Sequence, residues 1–269
     1  MATEIDKIQQ HYNTISQYYQ SLWGDHIHHG YFENGNETVA EATQKLIDLL
    51  LEKIDVKPGN HVLDIGCGLG GSARYMAKKF GCKVTGITIS EEQVRLAREA
   101  SAEMKNKPEF LLQDANDLDW STEFDLIWSV EMIAHLQDRK MFFKRVKKAM
   151  KKEGRWCIAA WIKDRKITPG RQNKYINSIE KGMIVDLPTQ QEYLQHISDN
   201  NLTLVYYEDI SKKVAQTWDI TLDMIKKPDI WKLARDLGSD FINFLTSFLA
   251  MKKGYETGHL NYVVMVLQK

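Results

Sequence analysis

Cysteines are scarce in this chain, and no apolar run is long enough to cross a membrane. The 269 residues include 3 cysteines, Cys67, Cys82 and Cys157, without a CxxC pair, which argues against a disulfide framework and against a zinc knuckle. The apolar runs have the length of strands, far below the roughly 20 residues that a membrane helix needs. The polar start MATEIDKIQQ lacks the apolar segment of a secretion signal. We therefore expect a cytoplasmic protein without a membrane span.

An excess of charge of either sign is also lacking. Lys and Arg together number 36, and so do Asp and Glu, so no net field attracts nucleic acid or anionic lipid. The basic run from Lys144 to Lys152 alternates with an apolar stripe at the end of a predicted helix, where cations complement the helix dipole. We interpret this run as a solvated face and expect no nucleic-acid partner.

The chain does contain a regular alternation of strand-like and helical patterns. Strand-like apolar runs cover residues 61–65, 82–89, 109–112, 124–130, 155–162, 202–210 and 262–269. Between the first five of these runs, apolar residues recur at helical spacing, and Ser90 and Gln93 have the spacing of a helix capping box. The alternation predicts βαβ units, and hence an α/β fold with a Rossmann-like, doubly wound, mostly parallel sheet.

Two helical insertions interrupt this alternation in the second half of the chain. We divide the chain into an N-terminal lid segment (1–37), a core (38–162) and a last part (163–269) that holds the remaining strands and the insertions, at about 163–201 and 212–253. Open α/β sheets bind ligands at the carboxyl edge of their strands. We therefore expect the lid segment and both insertions to cover that edge and to choose the substrate.

A loop with four glycines follows the first predicted strand, in the stretch LDIGCGLGGS. Gly66, Gly68 and Gly71 fit the dinucleotide pattern GxGxxG, which is weak on its own but brings an NAD(P)-dependent oxidoreductase into consideration. Dinucleotide sites also use an acid at the tip of the second strand, and the tip GITIS contains none. Instead, Asp64 precedes the loop, where its carboxylate would oppose a pyrophosphate and suits a cationic ligand.

The whole stretch from Leu63 to Gly71 resembles motif I of the class I S-adenosylmethionine (SAM)-dependent methyltransferases. SAM carries a sulfonium and an α-ammonium and has no phosphate, which agrees with an acid beside glycines. The resemblance implies SAM as the cofactor, with S-adenosylhomocysteine (SAH) as its product. It implies cofactor binding by five residues of this stretch: Asp64, Gly66, Cys67, Gly68 and Gly70.

Two later segments agree with the same resemblance. In FLLQDAND, Asp114 stands where the family contacts the adenine amine, and the resemblance implies that the backbone amide of Ala115 meets the ring. The segment GITISEEQ lacks the usual ribose-binding acid and resembles a small-molecule subgroup in which a glutamine reaches the ribose. This resemblance implies that Gln93 binds the ribose, next to Thr88 and Ile89.

The two ends of the core resemble a narrower branch of the family. WGDHIHHGYF and WSVEMIAHLQD are similar to segments of γ-tocopherol methyltransferase-like and related natural-product enzymes, which methylate carbon, nitrogen or oxygen of ring-containing or terpenoid metabolites. For an acceptor that must lose a proton, the resemblance implies that His135 is the base and that Glu131 orients it or contacts substrate. The alternative for His135 is a helix-start histidine bonded to backbone.

The resemblance also suggests roles for residues of the lid and the insertions. Tyr18 or Tyr19 is expected to donate a hydrogen bond to the SAM carboxylate, with plain packing of an N-terminal helix as the alternative. The acceptor is expected to contact His28, His29, Tyr31, Trp161 and Trp218. Three phenylalanines, Phe241, Phe244 and Phe248, either line an apolar acceptor pocket or form the core of the second insertion, and their helical spacing favours the core.

Three imidazoles within four residues, His26, His28 and His29, invite a metal reading. No carboxylate–histidine pattern with the spacing of catalytic zinc accompanies them, so we expect no metal.

Together these observations predict a SAM-dependent methyltransferase acting on nitrogen or carbon, less readily on oxygen, of a small apolar aromatic, terpenoid or alkaloid-type metabolite. The nearest alternative is a cyclopropane-forming or other lipid methyltransferase, which shares the ITIS-x-x-Gln feature. Two alternatives from other classes are an NAD(P)-dependent oxidoreductase and a SAM-binding protein without catalysis. The sequence leaves the acceptor and the oligomeric state open.

Overall fold

The computed structural model describes residues 3–164, 174–226, 230–231, 234–235 and 238–269, without the side chains of residues 4, 15, 17–23 and 240. Within these residues, seven strands form one sheet in the order β3-β2-β1-β4-β5-β7-β6. The strands are β1 (His61–Ile65), β2 (Lys83–Thr88), β3 (Glu109–Leu112), β4 (Phe124–Val130), β5 (Met150–Lys163), β6 (Thr203–Asp209) and β7 (Leu260–Gln268). Strands β1 to β5 are parallel, and β7 is antiparallel to β5 and β6. The predicted doubly wound, mostly parallel α/β fold is confirmed.

Helices cover both faces of the sheet and its carboxyl edge. They are α1 (Glu4–Trp23), α2 (Val39–Ile54), α3 (Gly71–Phe80), α4 (Glu91–Ala100), α5 (Arg139–Ala149), α6 (Lys174–Met183), α7 (Gln190–Asp199), α8 (Ser211–Val214), α9 (Gln216–Met224) and α10 (Ser239–Thr257). Short 3₁₀ turns follow β3, at Ala115–Asp117, and β4, at Ile133–His135. Helix α2 begins with a capping box between Thr38 and Glu41, which satisfies two amide groups of its first turn.

Side chains alternate between the two faces of each strand and build two apolar layers. In β1, Val62 packs with the layer that contains α2 and α3, while Leu63 and Ile65 pack with the layer that contains α5 and α7. Because both faces are covered, four of the five residues of β1 are buried. The functional groups of the sheet are therefore confined to its edge.

The second half of the first insertion does not cover the carboxyl edge of the sheet, contrary to the expectation for both insertions. Helix α6 packs against α10 near the carboxyl edge, whereas α7 packs against α5, with the Tyr193 ring 6.2 Å from the ring of Phe143. Tyr193 and Ile197 are buried there because they continue the apolar layer on that face of the sheet. Only α6 of the two helices thus contributes to the cover.

The start of α4 also differs from its predicted cap. The Ser90 hydroxyl accepts a hydrogen bond from the Gln93 N–H at 3.2 Å, as expected. The Ser90 N–H, however, donates to the Thr88 hydroxyl at 3.3 Å, and that hydroxyl donates to Oε1 of Gln93 at 2.6 Å. The capping-box prediction was therefore wrong for the Gln93 side chain, because the hydroxyl at the end of β2 is the nearer partner.

Gly70 and Gly59 offer a matched test of the packing around the loop after β1. Both have positive φ, 75° and 79°. A Cβ on Gly70 would lie 2.5 Å from Cζ of Phe110, whereas one on Gly59 would meet nothing within 4 Å. We expect Gly59→Ala to lower the free energy of unfolding by about 1 kcal/mol, the cost of the left-handed backbone. Gly70→Ala should cost about 1–3 kcal/mol more, because Phe110 must move.

Denaturant unfolding of the two variants beside the wild type measures this difference. Equal losses in both variants would show that Phe110 does not hold the glycine loop in place.

Candidate active site

The strand order reverses between β1 and β4, and a cleft of about 830 Å³ opens at the carboxyl ends of these strands. Its walls come from the glycine loop, the ends of β2 and β3, the end of β4 and one face of α1. Residues that line it include Ile5, Ile8, Tyr12, Gly66, Gly68, Thr88, Ile89, Gln93, Asp114, Ala115, Glu131 and His135. The position is the usual ligand crevice of an open α/β sheet.

Asp64 lies at the inner end of this region, beside a smaller pocket that contains Gly66, Cys67 and Gly68. The residue is 3 % exposed, and its Oδ2 has no hydrogen-bond partner within the described part of the chain. Burial raises the pKa of Asp64 to about 7. Because an unpaired buried carboxylate is costly, the pocket favours a ligand that brings a positive charge or a hydrogen-bond donor.

Of the other predicted cofactor residues, Thr88, Ile89, Gln93, Asp114 and Ala115 line the main cleft, whereas Gly70 lines neither the cleft nor the smaller pocket. Gln93 is oriented by the Thr88 hydroxyl, which occupies its Oε1 at 2.6 Å and leaves the amide Nε2 as the donor for a ligand. Asp114 caps the 3₁₀ turn, because its Oδ1 accepts hydrogen bonds from the Asn116 N–H at 2.7 Å and from Nδ2 of Asn116 at 3.0 Å. Ala115, the first residue of that turn, is buried against the cleft.

A second cavity of about 610 Å³ adjoins the cleft under α1, α9 and α10. Its lining combines aromatic rings with a few polar groups: His11, Tyr12, Ile27, His28, His29, Glu131, His135, Trp161, Met183, Thr217, Trp218, Phe244 and Phe248. Four residues, Tyr12, Ile27, Glu131 and His135, line both spaces. Two ligands, one in each space, would therefore meet at these four side chains.

Glu131 follows β4 at the junction of the two spaces, with the uncommon backbone φ of 55°. Its Oε1 accepts hydrogen bonds from the His29 N–H (2.8 Å), from Nδ1 of His29 (3.0 Å) and from the Tyr262 hydroxyl (2.8 Å). Burial raises the pKa of Glu131, but the interactions with His29 outweigh it and hold the pKa below its ordinary value. Glu131 is therefore a buried ionised carboxylate.

His29 is the centre of a buried hydrogen-bond network. The indole N–H of Trp218 can only donate, and it lies 2.7 Å from Nε2 of His29, so Nε2 carries no proton. Nδ1 then carries the proton and donates it to Glu131. The indole N–H of Trp161 lies 3.3 Å from Nδ1 of His29. A protonated Nδ1 cannot accept a hydrogen bond, so we assign its proton to the shorter contact with the Glu131 carboxylate. The Tyr255 hydroxyl lies 3.1 Å from Nε2.

His135 is also neutral and oriented at both nitrogens. The carbonyl of Ile184, 3.0 Å from Nδ1, can only accept a hydrogen bond, so Nδ1 is protonated. Nε2 is then the acceptor for the Tyr12 hydroxyl at 3.1 Å. Burial lowers the pKa of His135 to about 4, with a smaller opposing effect of the Ile184 bond. His135 and Tyr12 both line the two spaces, and the phenol of Tyr12 is hydrogen-bonded to the imidazole.

The remaining predicted residues divide into those at the site and those away from it. His28 lines the second cavity and the small pocket beside Asp64. Tyr31 lines neither cavity; its ring lies 6.0 Å from Nζ of Lys213, and burial is the main cause that raises the pKa of its phenol. Tyr18 and Tyr19 belong to α1, and their side chains lie outside the described residues.

Several lining residues were missed by the sequence analysis, Tyr12 among them. Ile5, Ile8 and Tyr12 follow one another at helical spacing and form the face of α1 that lines the cleft. That spacing could have been recognised, but it is equally typical of any helix that packs on a core. His11 also lines the second cavity, with its ring 5.1 Å from the ring of Phe244.

The described histidines, cysteines and carboxylates form no cluster for a metal ion. No group of three or more His, Cys, Asp or Glu side chains there has an arrangement that could hold an ion. In the histidine segment, Nδ1 of His28 donates to the carbonyl of His29 at 2.8 Å, and His29 bonds Glu131. These imidazoles are therefore engaged in hydrogen bonds of the lid.

Comparison with protein families places the chain. The family described as mycolic acid cyclopropane synthetase matches residues 1–262. The chain belongs to this family. It is thus a SAM-dependent methyltransferase of class I, which confirms the predicted family and enzyme class and sets the oxidoreductase alternative aside.

Relatives of this methyltransferase differ in what they are named for. Tocopherol O-methyltransferase of Arabidopsis thaliana, a chloroplast protein, is 27% identical over 286 residues, which cover 97% of this chain and 81% of that protein. Phosphoethanolamine N-methyltransferase 1 of Zea mays is 29% identical over 252 residues, which cover 93% of this chain and 47% of that protein. The suspected natural-product branch is thus represented among the relatives.

Solved structures show the same fold. The mycolic acid cyclopropane synthase CmaA1, crystallised with SAH and CTAB, superposes with a TM-score of 0.86 at 20% identity, covering 100% of this chain and 99% of that chain. Among the described helices, none has the length and apolar character to cross a membrane.

The Asp64 carboxyl group should make the stability of the ligand-free protein depend on pH. Its folded-state pKa of about 7 exceeds the value of about 3.9 in an unfolded chain. The folded protein therefore holds a proton that the unfolded chain has lost, and its stability falls as the pH rises towards and through 7. We expect Asp64 to contribute a loss of about 2 kcal/mol between pH 5.5 and 8.5, and this loss should be absent in Asp64→Asn.

Denaturant unfolding at both pH values gives the measurement, without ligand. Asp119→Asn is the matched control, because the Asp119 side chain is 96% exposed and its loss should leave the wild-type pH dependence in place. If Asp64→Asn keeps that dependence as well, Asp64 is not protonated in the folded chain.

Proposed function

We propose that this methyltransferase acts on nitrogen or carbon of a small, largely apolar acceptor of aromatic, terpenoid or alkaloid type. One observation carries the proposal. A cleft at the strand edge and a ring-lined cavity under the cap meet at a shared wall formed by Tyr12, Ile27, Glu131 and His135. Methyl transfer needs two reactants in line with water excluded, and this arrangement provides a separate space for each.

The cleft fits SAM by the chemistry of its donors and acceptors. When bound, SAM supplies an electrophilic methyl group on a sulfonium. The carboxyl group of Asp64, whose Oδ2 has no hydrogen-bond partner among the described residues, would receive the α-ammonium, and the backbone of Gly66 and Gly68 would permit close approach. The free amide end of Gln93 would bond the ribose, and Asp114 would accept from the adenine amine. In the same proposal, Tyr18 or Tyr19 bonds the carboxylate of the cofactor.

The second cavity fits an apolar acceptor. Trp161, Trp218, Phe244 and Phe248 line it, and each is less than a tenth exposed. Burying an apolar ring against these side chains displaces water from the junction and aligns the acceptor with the cofactor. Phe241 is buried in the cap but does not line the cavity, so the aromatic stripe of α10 serves both the helix core and the acceptor.

A proton that leaves the acceptor would pass to His135 through the hydroxyl of Tyr12. Tyr12 lies in the shared wall and donates to Nε2 of His135, so it can accept a proton from the acceptor as it gives its own to the imidazole. The low pKa of His135 makes the ring a weak base, which suits an acceptor that needs only transient relief of its proton. The relay thus extends the predicted base role of His135.

The test of the function is transfer of a labelled methyl group. The purified enzyme is incubated with methyl-deuterated SAM and a pooled panel of indole alkaloids, prenylated phenols, sugars, amines and fatty acyl lipids, and mass spectrometry locates the CD₃ group. Label in an indole, an amine or a terpenoid supports the proposal. Label in an acyl chain favours the lipid alternative, towards which the family name points.

Asp64 and Asp114 should differ in their effect on cofactor affinity. We expect Asp114→Ala to weaken SAH binding by about 1 kcal/mol, one hydrogen bond at a partly exposed position. Asp64→Asn should weaken it more, by about 1.5–3 kcal/mol, because a charge-assisted bond in a buried pocket is lost. Calorimetric titration with SAH measures both. A larger loss in Asp114→Ala than in Asp64→Asn would contradict the placement of the ammonium at Asp64.

The Tyr12–His135 relay predicts a non-additive pair of variants. Tyr12→Phe and His135→Ala should each lower kcat by about 10²-fold, the lower end of general acid–base effects, with SAH affinity little changed. Since both interrupt one proton path, the double variant should be no slower than the more impaired single variant. Losses that simply add would assign the two residues separate tasks and remove the relay.

A further inference from the structure

The second cavity, which we call the acceptor-side cavity, is lined by charge of one sign only. This charge narrows the class of acceptor within the proposed function, on which the inference rests. Among the described residues that line it, none is Lys or Arg. Burial lowers the pKa of His11 and of His135 to about 4, so both rings are neutral near pH 7. At His29, Nε2 accepts from Trp218 and Nδ1 donates to Glu131, so the hydrogen bonds of this ring require a single proton. The ionised group in the lining is the carboxylate of Glu131.

Aromatic rings enclose the space beside this carboxylate. The His29 ring lies 5.2 Å from the ring of Trp218 and 5.8 Å from that of Trp161, measured between centroids. The Phe248 ring continues the wall, 5.4 Å from Trp218, and Phe244 stands 4.7 Å beyond it. Faces of aromatic rings attract cations, and several such faces around an anion form a site for an organic ammonium.

A buried acceptor atom complements the carboxylate. Nδ1 of His28 donates to the carbonyl of His29, so Nε2 is the unprotonated nitrogen. Nε2 is buried and has no hydrogen-bond partner within the described part of the chain, and His28 lines the cavity. A ligand with an N–H group would satisfy it. Oε1 of Glu131 already receives three hydrogen bonds, so the ligand's charge would meet Oε2.

We propose that the methyl acceptor is the nitrogen of an apolar amine, and that Glu131 with the rings of Trp161, Trp218, Phe244 and Phe248 recognises its positive charge. The site is selective because an anion here would face the Glu131 carboxylate without a cation among the described lining residues. A phenol that must ionise before attack would place a second negative charge beside Glu131, which is unfavourable. The site therefore disfavours phenols and carboxylic acids as acceptors.

The reaction balances without a further reactant. The amine attacks in its unprotonated form; an amine that binds as an ammonium ion first gives one proton to the Tyr12 hydroxyl while that hydroxyl gives its own to Nε2 of His135. Because His135 is the weaker base, this transfer is uphill, and only the fraction of amine that has lost its proton has the electron pair and reacts. The nitrogen then forms a bond to the methyl carbon as the bond from that carbon to sulfur breaks, and sulfur keeps the electron pair as the neutral thioether of SAH. The positive charge moves from sulfur to nitrogen, where Glu131 and the rings stabilise it.

The test compares cations with neutral molecules of the same shape. The SAH-bound enzyme is titrated with matched pairs on phenyl, indolyl and decyl skeletons, each pair ending in either a trimethylammonium or a tert-butyl group. We expect the cation to bind at least about 10-fold more tightly for the best skeleton. In Glu131→Gln this preference should fall to less than about 3-fold. Asp119→Asn removes an exposed carboxylate and should keep the wild-type preference.

A second variant covers the case in which Glu131→Gln does not fold. Phe248→Leu keeps an apolar side chain but removes a ring, so it should weaken binding of the cation about 3-fold and leave that of the neutral partner unchanged. If no skeleton shows a preference for the cation, or if both members of a pair lose affinity equally in Phe248→Leu, the amine proposal is overturned.

The titration, read together with the CD₃ transfer assay, separates this inference from the proposed function. Failure of SAH to bind would overturn the proposed function itself. Binding of SAH, with CD₃ transferred to a phenol or an acyl chain and no preference for cations, would overturn only the amine as acceptor. Transfer of CD₃ to tryptamine but not to tryptophol or indole-3-acetate, which share its ring, would support both.

Discussion

The site depends on one buried contact, the hydrogen bond between the Glu131 carboxylate and the His29 imidazole. Glu131 ends the central strand of the switch point, and His29 belongs to the segment after α1. The same imidazole receives Trp218 from α9 and lies beside Tyr255 from α10. Removing either partner would leave a charge or a polar nitrogen buried without its partner, a large penalty in a dry interior. Sheet, lid and cap are thereby fixed at the point where the cleft and the second cavity meet.

Two buried carboxyl groups, those of Asp64 and Glu131, lie at the proposed site, and their surroundings differ. Oδ2 of Asp64 has no hydrogen-bond partner among the described residues, and burial raises the pKa of this carboxyl group to about 7, so a nearby positive charge would favour its ionised form. Glu131 has three donors on one oxygen, and its pKa lies below the ordinary value. In the proposed site, Asp64 would be ionised by the charge of the cofactor, whereas Glu131 is already ionised without a ligand. In the proposed reaction, the positive charge would move from the cofactor, beside Asp64, towards the acceptor, beside Glu131.

Much of the core could be predicted from the sequence because its signals are local. The apolar runs of β1 and β4 and the glycine loop between β1 and α3 lie where the pattern put them, since burial on both faces leaves few alternatives. The position of Asp64 inside an apolar run likewise implied its burial. The partner of the Gln93 side chain was missed, because a capping box and a bond to Thr88 differ only in a side-chain rotamer.

The cover could not be predicted to the same depth, and the reason is physical. Its contacts join residues far apart in the chain, such as His29 with Trp218 and Tyr12 with His135, and no local spacing encodes such pairs. The ring of Phe248 lines the cavity and also packs against Phe244 within α10. A residue that both lines a pocket and packs in a helix shows the same helical spacing as a residue that only packs. That spacing favoured the core over the pocket in the sequence analysis. The rings that we propose to contact the acceptor also hold the cap together, so substitutions there that change acceptor preference should also change the stability of the cap.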